Sequence, residues 1–209
     1  MAKALVVFGD RTAAEIAESA KEACAEDFAT IQTHYFNPTT FGEFATGMEA
    51  DFDSVHFLSA VTDIDLKSAM ISAAASRGWS SQSVIHPSAV LSKSSSVGAG
   101  AFVGPLAVIS TNATIGAHSI IHLHASVGHD CSLGEMAAVL PGARVSGNVQ
   151  MGDRCLIGSN AFVSAGVEIG DDCHIDALTY VRDNLEAGHL ASVRAKYPVR
   201  RIHLSKGLQ

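Results

Sequence analysis

Aromatic residues are scarce in this chain of 209 residues, at 6%. A core built from the small and β-branched side chains that are plentiful is therefore expected over a bulky aromatic centre. Charge is thin as well: 17% of residues are charged against 47% apolar, the balance of a globular chain. The formal charge of −7 argues against a nucleic-acid partner, because phosphate backbones are gripped by a basic face. No apolar run approaches the ~18 residues of a membrane span. The opening residues 1–9 (MAKALVVFG) are apolar but too few for a signal peptide, and they lack its cleavage region. They read as a first strand. Four cysteines, Cys24, Cys131, Cys155 and Cys173, make no CxxC pair and are too sparse for a disulfide framework, which points to a reducing cytoplasm.

What the sequence does have is a period. Counting by sixes from Ile85 gives Leu91, Val97, Val103, Ile109, Ile115, Ile121, Val127, Leu133, Val139, Val145, Met151, Ile157, Val163, Ile169, Ile175 and Val181. Every position is aliphatic and no insertion interrupts the count. Four residues after each one but the last stands a small or β-branched residue, from Ala89 and Ser95 through Cys131 and Cys155 to Thr179. Glycine recurs directly after the aliphatic, as at Gly98, Gly116, Gly134 and Gly152, where a corner is expected to need backbone freedom. Three hexads make one triangular coil of 18 residues with the aliphatics inside. Stacked by parallel hydrogen bonds at ~4.8 Å, a little over five coils form a prism about 25 Å long. Cys155 and Cys173 are 18 apart, so they share one inward slot and read as core filler.

Ahead of the repeat, residues 3–8 (KALVVF), 30–36 and 54–58 read as strands, and 11–26 and 66–77 as helices. The order β-α-β-loop-β-α suggests a small Rossmann-like parallel sheet. The mostly polar run 79–83 marks a boundary. Three units result: 1–82, a prism over 83–181, and a tail over 182–209. The tail carries Arg182, Arg194, Lys196, Arg200, Arg201 and Lys206. It reads either as a cap on the open end of the prism or as a source of cations for a cofactor's phosphates.

The sequence Ile85-His86-Pro87-Ser88-Ala89-Val90, the hexad ladder, and the pair within Val127-Gly128-His129-Asp130-Cys131 together resemble the NeuD-type sugar acyltransferases. That family comprises sialic acid O-acetyltransferases and N-acetyltransferases of nucleotide-linked amino sugars, among the hexapeptide-repeat acyltransferases. The resemblance implies a Rossmann-like acceptor domain followed by a left-handed β-helix, a handedness that the period alone does not give. It implies acetyl-CoA as co-substrate, a homotrimer, and a sugar or nucleotide-sugar acceptor. It also implies His129 as general base, with Asp130 raising its basicity. Imidazole suits the task because its pKa lies near neutrality, and a carboxylate favours the imidazolium that forms.

By the same resemblance Ala138, Ser159 and Ala177 meet the cofactor, and Gly9, Asp10 and Arg11 meet the acceptor. Two departures stand out. Ala138 replaces a second histidine near the thioester, and the first loop, Gly9-Asp10-Arg11-Thr12, is not glycine- and histidine-rich. His118, His122 and His124 read as surface or interface residues. Two rival functions follow from the residues. One is a zinc enzyme like the γ-type carbonic anhydrases, using His86, His124 and His129; the other is a non-catalytic β-helix scaffold.

Overall fold

The computed structural model describes residues 2–9, 11–195 and 198–200. Its N-terminal unit runs β1 (Lys3–Phe8), α1 (Arg11–Cys24), β2 (Thr30–His34), α2 (Phe41–Asp51), β3 (Ser54–Ser59), α3 (Ile64–Ser76) and β4 (Ser80–Ser81). The four strands form one parallel sheet in the order β2-β1-β3-β4. Residues 4–8 of β1 are all buried, as a central parallel strand covered on both faces requires. Leu5 and Val7 pack with Ala13, Ile16, Ala17 and Ala20 of α1. Val6 and Phe8 pack with Phe41, Met48, Met70 and Trp79 on the other side.

Two expectations are corrected here. The segment read as a loop contains α2, whose Phe41, Ala45 and Met48 are buried at helical spacing. Its Gly42 and Gly47 lower helix propensity and hid it. Trp79, read as part of a polar boundary, belongs to the sheet's core. It stacks on Phe8 with ring centroids 6.2 Å apart, and its indole N–H donates to Glu49 Oε1 at 2.9 Å.

From Val84 the chain winds into a left-handed parallel β-helix. Seventeen two-residue strands, from β5 (Val84–Ile85) to β21 (Tyr180–Val181), each end on one of the seventeen aliphatics of the ladder. Each rung pairs with the one 18 residues on, as in Ile121↔Val139↔Ile157↔Ile175. Three faces result: the first begins at Val84–Ile85, the second at Val90–Leu91 and the third at Ser96–Val97. Every rung from Val103 to Val181 is buried. Ile85, Leu91 and Val97 remain partly exposed because no coil lies beneath the first one. Cys155 and Cys173 sit inside, each thiol donating to a backbone carbonyl, of Gly170 and Glu186 respectively, at 3.1 Å.

The glycines after the rungs have a different cause from the one expected. Left-handed backbone falls two residues later, at all fourteen positions spaced six apart from Gly100 (φ 68°) through Asn112 (56°) and Asp130 (58°) to Leu178 (61°). The glycine itself is required because the next coil leaves no space. A Cβ on Gly98 would lie 2.6 Å from Ala117 N, and one on Gly116 would overlap the Gly134 carbonyl.

The ladder also runs on past Val181. Leu185 bridges to Ile169 and Ala191 pairs with Ile175, both spacings being 16 rather than 18, and both side chains are buried in the same interior. This shortened coil covers the last rungs, and β22 (His189–Ala191) then pairs antiparallel with β23 (Val199–Arg200). Of the tail's cations, Lys196, Arg201 and Lys206 lie outside the described residues.

The N-terminal unit is seated on the first face. Val84, Phe102 and Ile120 of that face are buried in one cluster with α1 and β1. Polar joints surround this contact: His86 Nε2 lies 2.9 Å from Glu22 Oε2, and Lys67 Nζ of α3 donates to the His118 carbonyl at 2.9 Å. His118 and His122 are thus joint residues, with His118 stacked on Phe57, while His124 is exposed on a corner. Among the described residues no helix is long and apolar enough to cross a membrane.

Candidate active site

The strand Ser126–Val127 ends the second face, and the chain turns onto the third through Gly128, His129, Asp130 and Cys131. Cys131 is buried and anchors the turn. His129 and Asp130, one residue apart, are pushed outward with their side chains about half exposed. Left-handed backbone at Asp130 is a conformation that Asp and Asn tolerate well. It lets the carboxylate fold back so that Oδ2 lies 2.8 Å from His129 Nδ1. The other oxygen, Oδ1, accepts from Asn112 Nδ2 at 2.9 Å. These two partners, the Asn112 amide first and the imidazole second, hold the Asp130 carboxyl below the usual carboxylate range. An ionised carboxylate at Nδ1 assigns the ring proton to that nitrogen, which leaves Nε2 with a lone pair for an incoming proton.

Neither Asn112 nor Gly147 stands out in a linear reading, yet both belong to this corner. Asn112 is 18 residues before Asp130, so it occupies the same corner one coil earlier. Gly147 is 18 residues after His129, and the imidazole lies over it: a Cβ there would be 2.5, 2.7 and 2.9 Å from Nε2, Cε1 and Cδ2 of His129.

The other residues singled out from the sequence lie elsewhere in the chain. Ser159 and Ala177 stack one coil apart on the corner between the first and second faces, where Leu178 N–H donates to the Ser159 carbonyl at 3.0 Å. Ala138 is buried on the first face between Ile120 and Leu156. One chain therefore places His129 at one edge of the second face and Ser159–Ala177 at the other. Gly9 lines a small cavity with Tyr35, Phe36, Val61, Leu66 and Met70, at the carboxyl ends of the parallel strands, where open α/β sheets take ligands. Its φ of 152°, and the 3.2 and 3.3 Å that an added Cβ would leave to the Cβ atoms of Ala13 and Ala60, explain the glycine. Arg11 opens α1, and Asp10 lies outside the described residues.

The second face, between the two edges, carries exposed apolar side chains towards both ends, with Ser126 and Arg144 between them. Val90, Val108, Phe162 and Tyr180 point outward from it and are exposed, and Leu106 and Leu178 are exposed along its border. Both leucines hold left-handed backbone, which Asn or Gly would adopt at lower cost. The histidines of a zinc site do not converge: His86 is held by Glu22, and His124 and His129 stand on different corners. Among the described residues no group of three or more His, Cys, Asp or Glu side chains clusters to hold a metal.

Residues 148–182 match the family model described as the hexapeptide repeat of succinyl-transferase. No curated protein matches the sequence. Among solved structures, a mutant of perosamine N-acetyltransferase from Caulobacter crescentus, in complex with CoA and GDP-perosamine, is similar with a TM-score of 0.81 and 26% identity. The match covers 94% of this chain and 96% of that one. The acetyltransferase domain of PglB from Neisseria gonorrhoeae, in complex with acetyl coenzyme A, gives a TM-score of 0.83 at 22% identity, covering 95% and 100%. WeeI from Acinetobacter baumannii gives 0.81 at 17%, covering 94% and 100%.

Proposed function

We propose that this chain is an acyltransferase that moves the acetyl group of acetyl-CoA onto an amino or hydroxyl group of a sugar or nucleotide-linked sugar, with His129 as general base. The observation that carries the proposal is the exposed His129–Asp130 pair, set on a β-helix corner with Nε2 free to take a proton. As the acceptor N–H or O–H attacks the thioester carbonyl, its proton passes to Nε2. The C–S bond then breaks, and the proton moves on to the departing CoA sulfur. Asp130 steadies the transient imidazolium.

Acetyl-CoA is the co-substrate and CoA the product, and the similar structures hold CoA or acetyl coenzyme A. GDP-perosamine in one of them supports a nucleotide-linked amino sugar over a sialic acid as the acceptor. The cavity at Gly9 is the proposed seat of the acceptor's nucleotide, and Gly9, Asp10 and Arg11 are the proposed acceptor contacts. Ser159 and Ala177 are the proposed cofactor contacts, with Ala138 where the second histidine of the resembled family stands.

His129 and the Ser159–Ala177 pair lie on opposite edges of the second face, so a site that uses both needs two chains. Packing of that face in a homotrimer would set one chain's His129 beside the next chain's Ser159 and Ala177. Exposed leucines held in left-handed backbone along the border support such a contact, since burial against a neighbour offsets their conformational cost.

The test is thiol release from acetyl-CoA with a panel of nucleotide-linked amino sugars. Turnover is expected, and His129→Asn is expected to lower kcat by about 10²–10⁴-fold. No turnover on any acceptor, together with no acetyl-CoA binding by calorimetry, would leave the scaffold reading in its place.

A further inference from the structure

The corner that carries His129 is built from three successive coils, and each contributes one fixed element. Asn112, one coil before, donates to Asp130 Oδ1 at 2.9 Å. Asp130 holds His129 Nδ1 at 2.8 Å. Gly147, one coil after, offers the ring a seat with no Cβ. From this stack we infer that Asn112 and Gly147 are positioning residues for the imidazole of His129: Asn112 fixes the carboxylate that selects the ring tautomer, and Gly147 fixes where Nε2 points.

The inference rests on the reading of His129 as general base, and the geometry separates the two. Half-exposed side chains such as His129 and Asp130 have many rotamers open to them, and a single hydrogen bond between them would leave the pair free to swing together. Asn112 removes that freedom from below, because both carboxylate oxygens are then engaged. From above, the ring occupies the space that a Cβ at position 147 would fill, so glycine there is what permits this pose. The Gly147 backbone is not left-handed, so alanine is conformationally acceptable there. The obstacle to a methyl group is the ring itself, at 2.5–2.9 Å. An exposed ring moves aside at little cost to the fold, so Gly147→Ala is expected to fold normally while displacing the base.

Asn112 also has a bland explanation, since asparagine suits its left-handed backbone at φ 56°. Asn112→Gly keeps that backbone and removes only the amide, so it isolates the contact to Asp130.

The experiment compares wild type, His129→Asn, Asn112→Gly and Gly147→Ala, by kinetics and by ¹⁵N NMR of the His129 ring. Gly147→Ala is expected to lose kcat on the order of 10²-fold, and Asn112→Gly on the order of tenfold, both with KM for acetyl-CoA unchanged. In the spectra, the wild-type ring is expected in its Nδ1–H form, with a larger Nε2–H share in both variants. Asn112→Asp, which keeps the backbone but sets a second carboxylate against Asp130, is expected to fare no better than Asn112→Gly. Wild-type kcat and an unchanged tautomer in Gly147→Ala and Asn112→Gly would overturn the inference. An inactive wild type would overturn the general-base reading instead, and the tautomer measurement would still decide the positioning.

Discussion

Lys67 is the one fully buried lysine or arginine among the described residues, and it lies where α3 meets the prism. Its amine donates to the His118 carbonyl at 2.9 Å, and burial lowers its pKa from 10.5 to about 8. In the unfolded chain the amine keeps its proton up to about pH 10.4. Between about pH 8 and 10.5 the unfolded state thus binds one more proton than the folded state, and stability rises with pH across that window. The gap between 10.5 and about 8, at about 1.4 kcal/mol per pH unit, is worth about 3 kcal/mol. Below pH 8 both states are protonated, and the fold bears the whole cost of the buried charge.

Replacing Lys67 by Met keeps the volume and removes the charge. The His118 carbonyl then lacks its donor, a loss of about 1–3 kcal/mol that does not change with pH in this range. His118, held below the usual imidazole range by burial and by Lys67, stays neutral above pH 7.5. The expected result is therefore a gap between wild type and Lys67→Met that moves in favour of wild type by about 3 kcal/mol between pH 7.5 and 10.5. Urea unfolding of both proteins at one fixed concentration measures it, so that any self-association weighs equally on both. Parallel stability curves for the two proteins would refute the account of Lys67 as a buried, destabilised cation.

The fold itself makes three further predictions. Gly116→Ala places a methyl group on the Gly134 carbonyl and is expected to cost more than about 3 kcal/mol, beyond ordinary overpacking; a urea midpoint close to wild type would contradict the corner argument. Ile157→Ala, in the middle of the ladder and wholly buried, is expected to cost about 2–5 kcal/mol. The same change at Leu91, in the uncovered first coil, should cost well under half as much, and equal losses would mean that the first coil is covered after all. For the proposed trimer, Phe162→Glu combined with Tyr180→Glu puts negative charge on the packed face and is expected to shift sedimentation to monomer, with acetyl transfer lost in parallel. Activity surviving in a monomer would sink the two-chain site.

The prism was legible in the sequence because its spacing is a property of the backbone: each rung recurs every six residues, with no helix or long loop to disturb the count. Sequence reasoning failed where that regularity ends. Leu185 and Ala191 were missed because the last coil is two residues short, so a strict count by sixes steps over them. In the N-terminal unit α2 was missed for the opposite reason. Its signal is Phe41, Ala45 and Met48 on one face, diluted by two glycines in eleven residues. Trp79 looked like linker because its neighbours are serines, whereas its burial depends on Phe8 and Phe41, about 71 and 38 positions earlier, a distance across which no local pattern carries.

The candidate site was half legible, and the solenoid explains which half. His129 and Asp130 are adjacent in sequence, so any reader meets them together. Asn112 and Gly147 meet them only across the coil period: in a chain wound every 18 residues, the neighbours of residue i are i−18 and i+18 as much as i−1 and i+1. Written in columns of 18, the corner reads Asn112, Asp130, Asn148, and beside it Thr111, His129, Gly147. The first column shows what left-handed backbone prefers, and that preference alone would explain all three residues. The second has no such preference to satisfy, yet it ends in the one residue that leaves the imidazole room. A side chain on a β-helix corner is thus specified vertically, by what the coils before and after allow. Substitutions one full coil away should therefore act on His129 more strongly than those at its sequence neighbours Ser126 or Ser132.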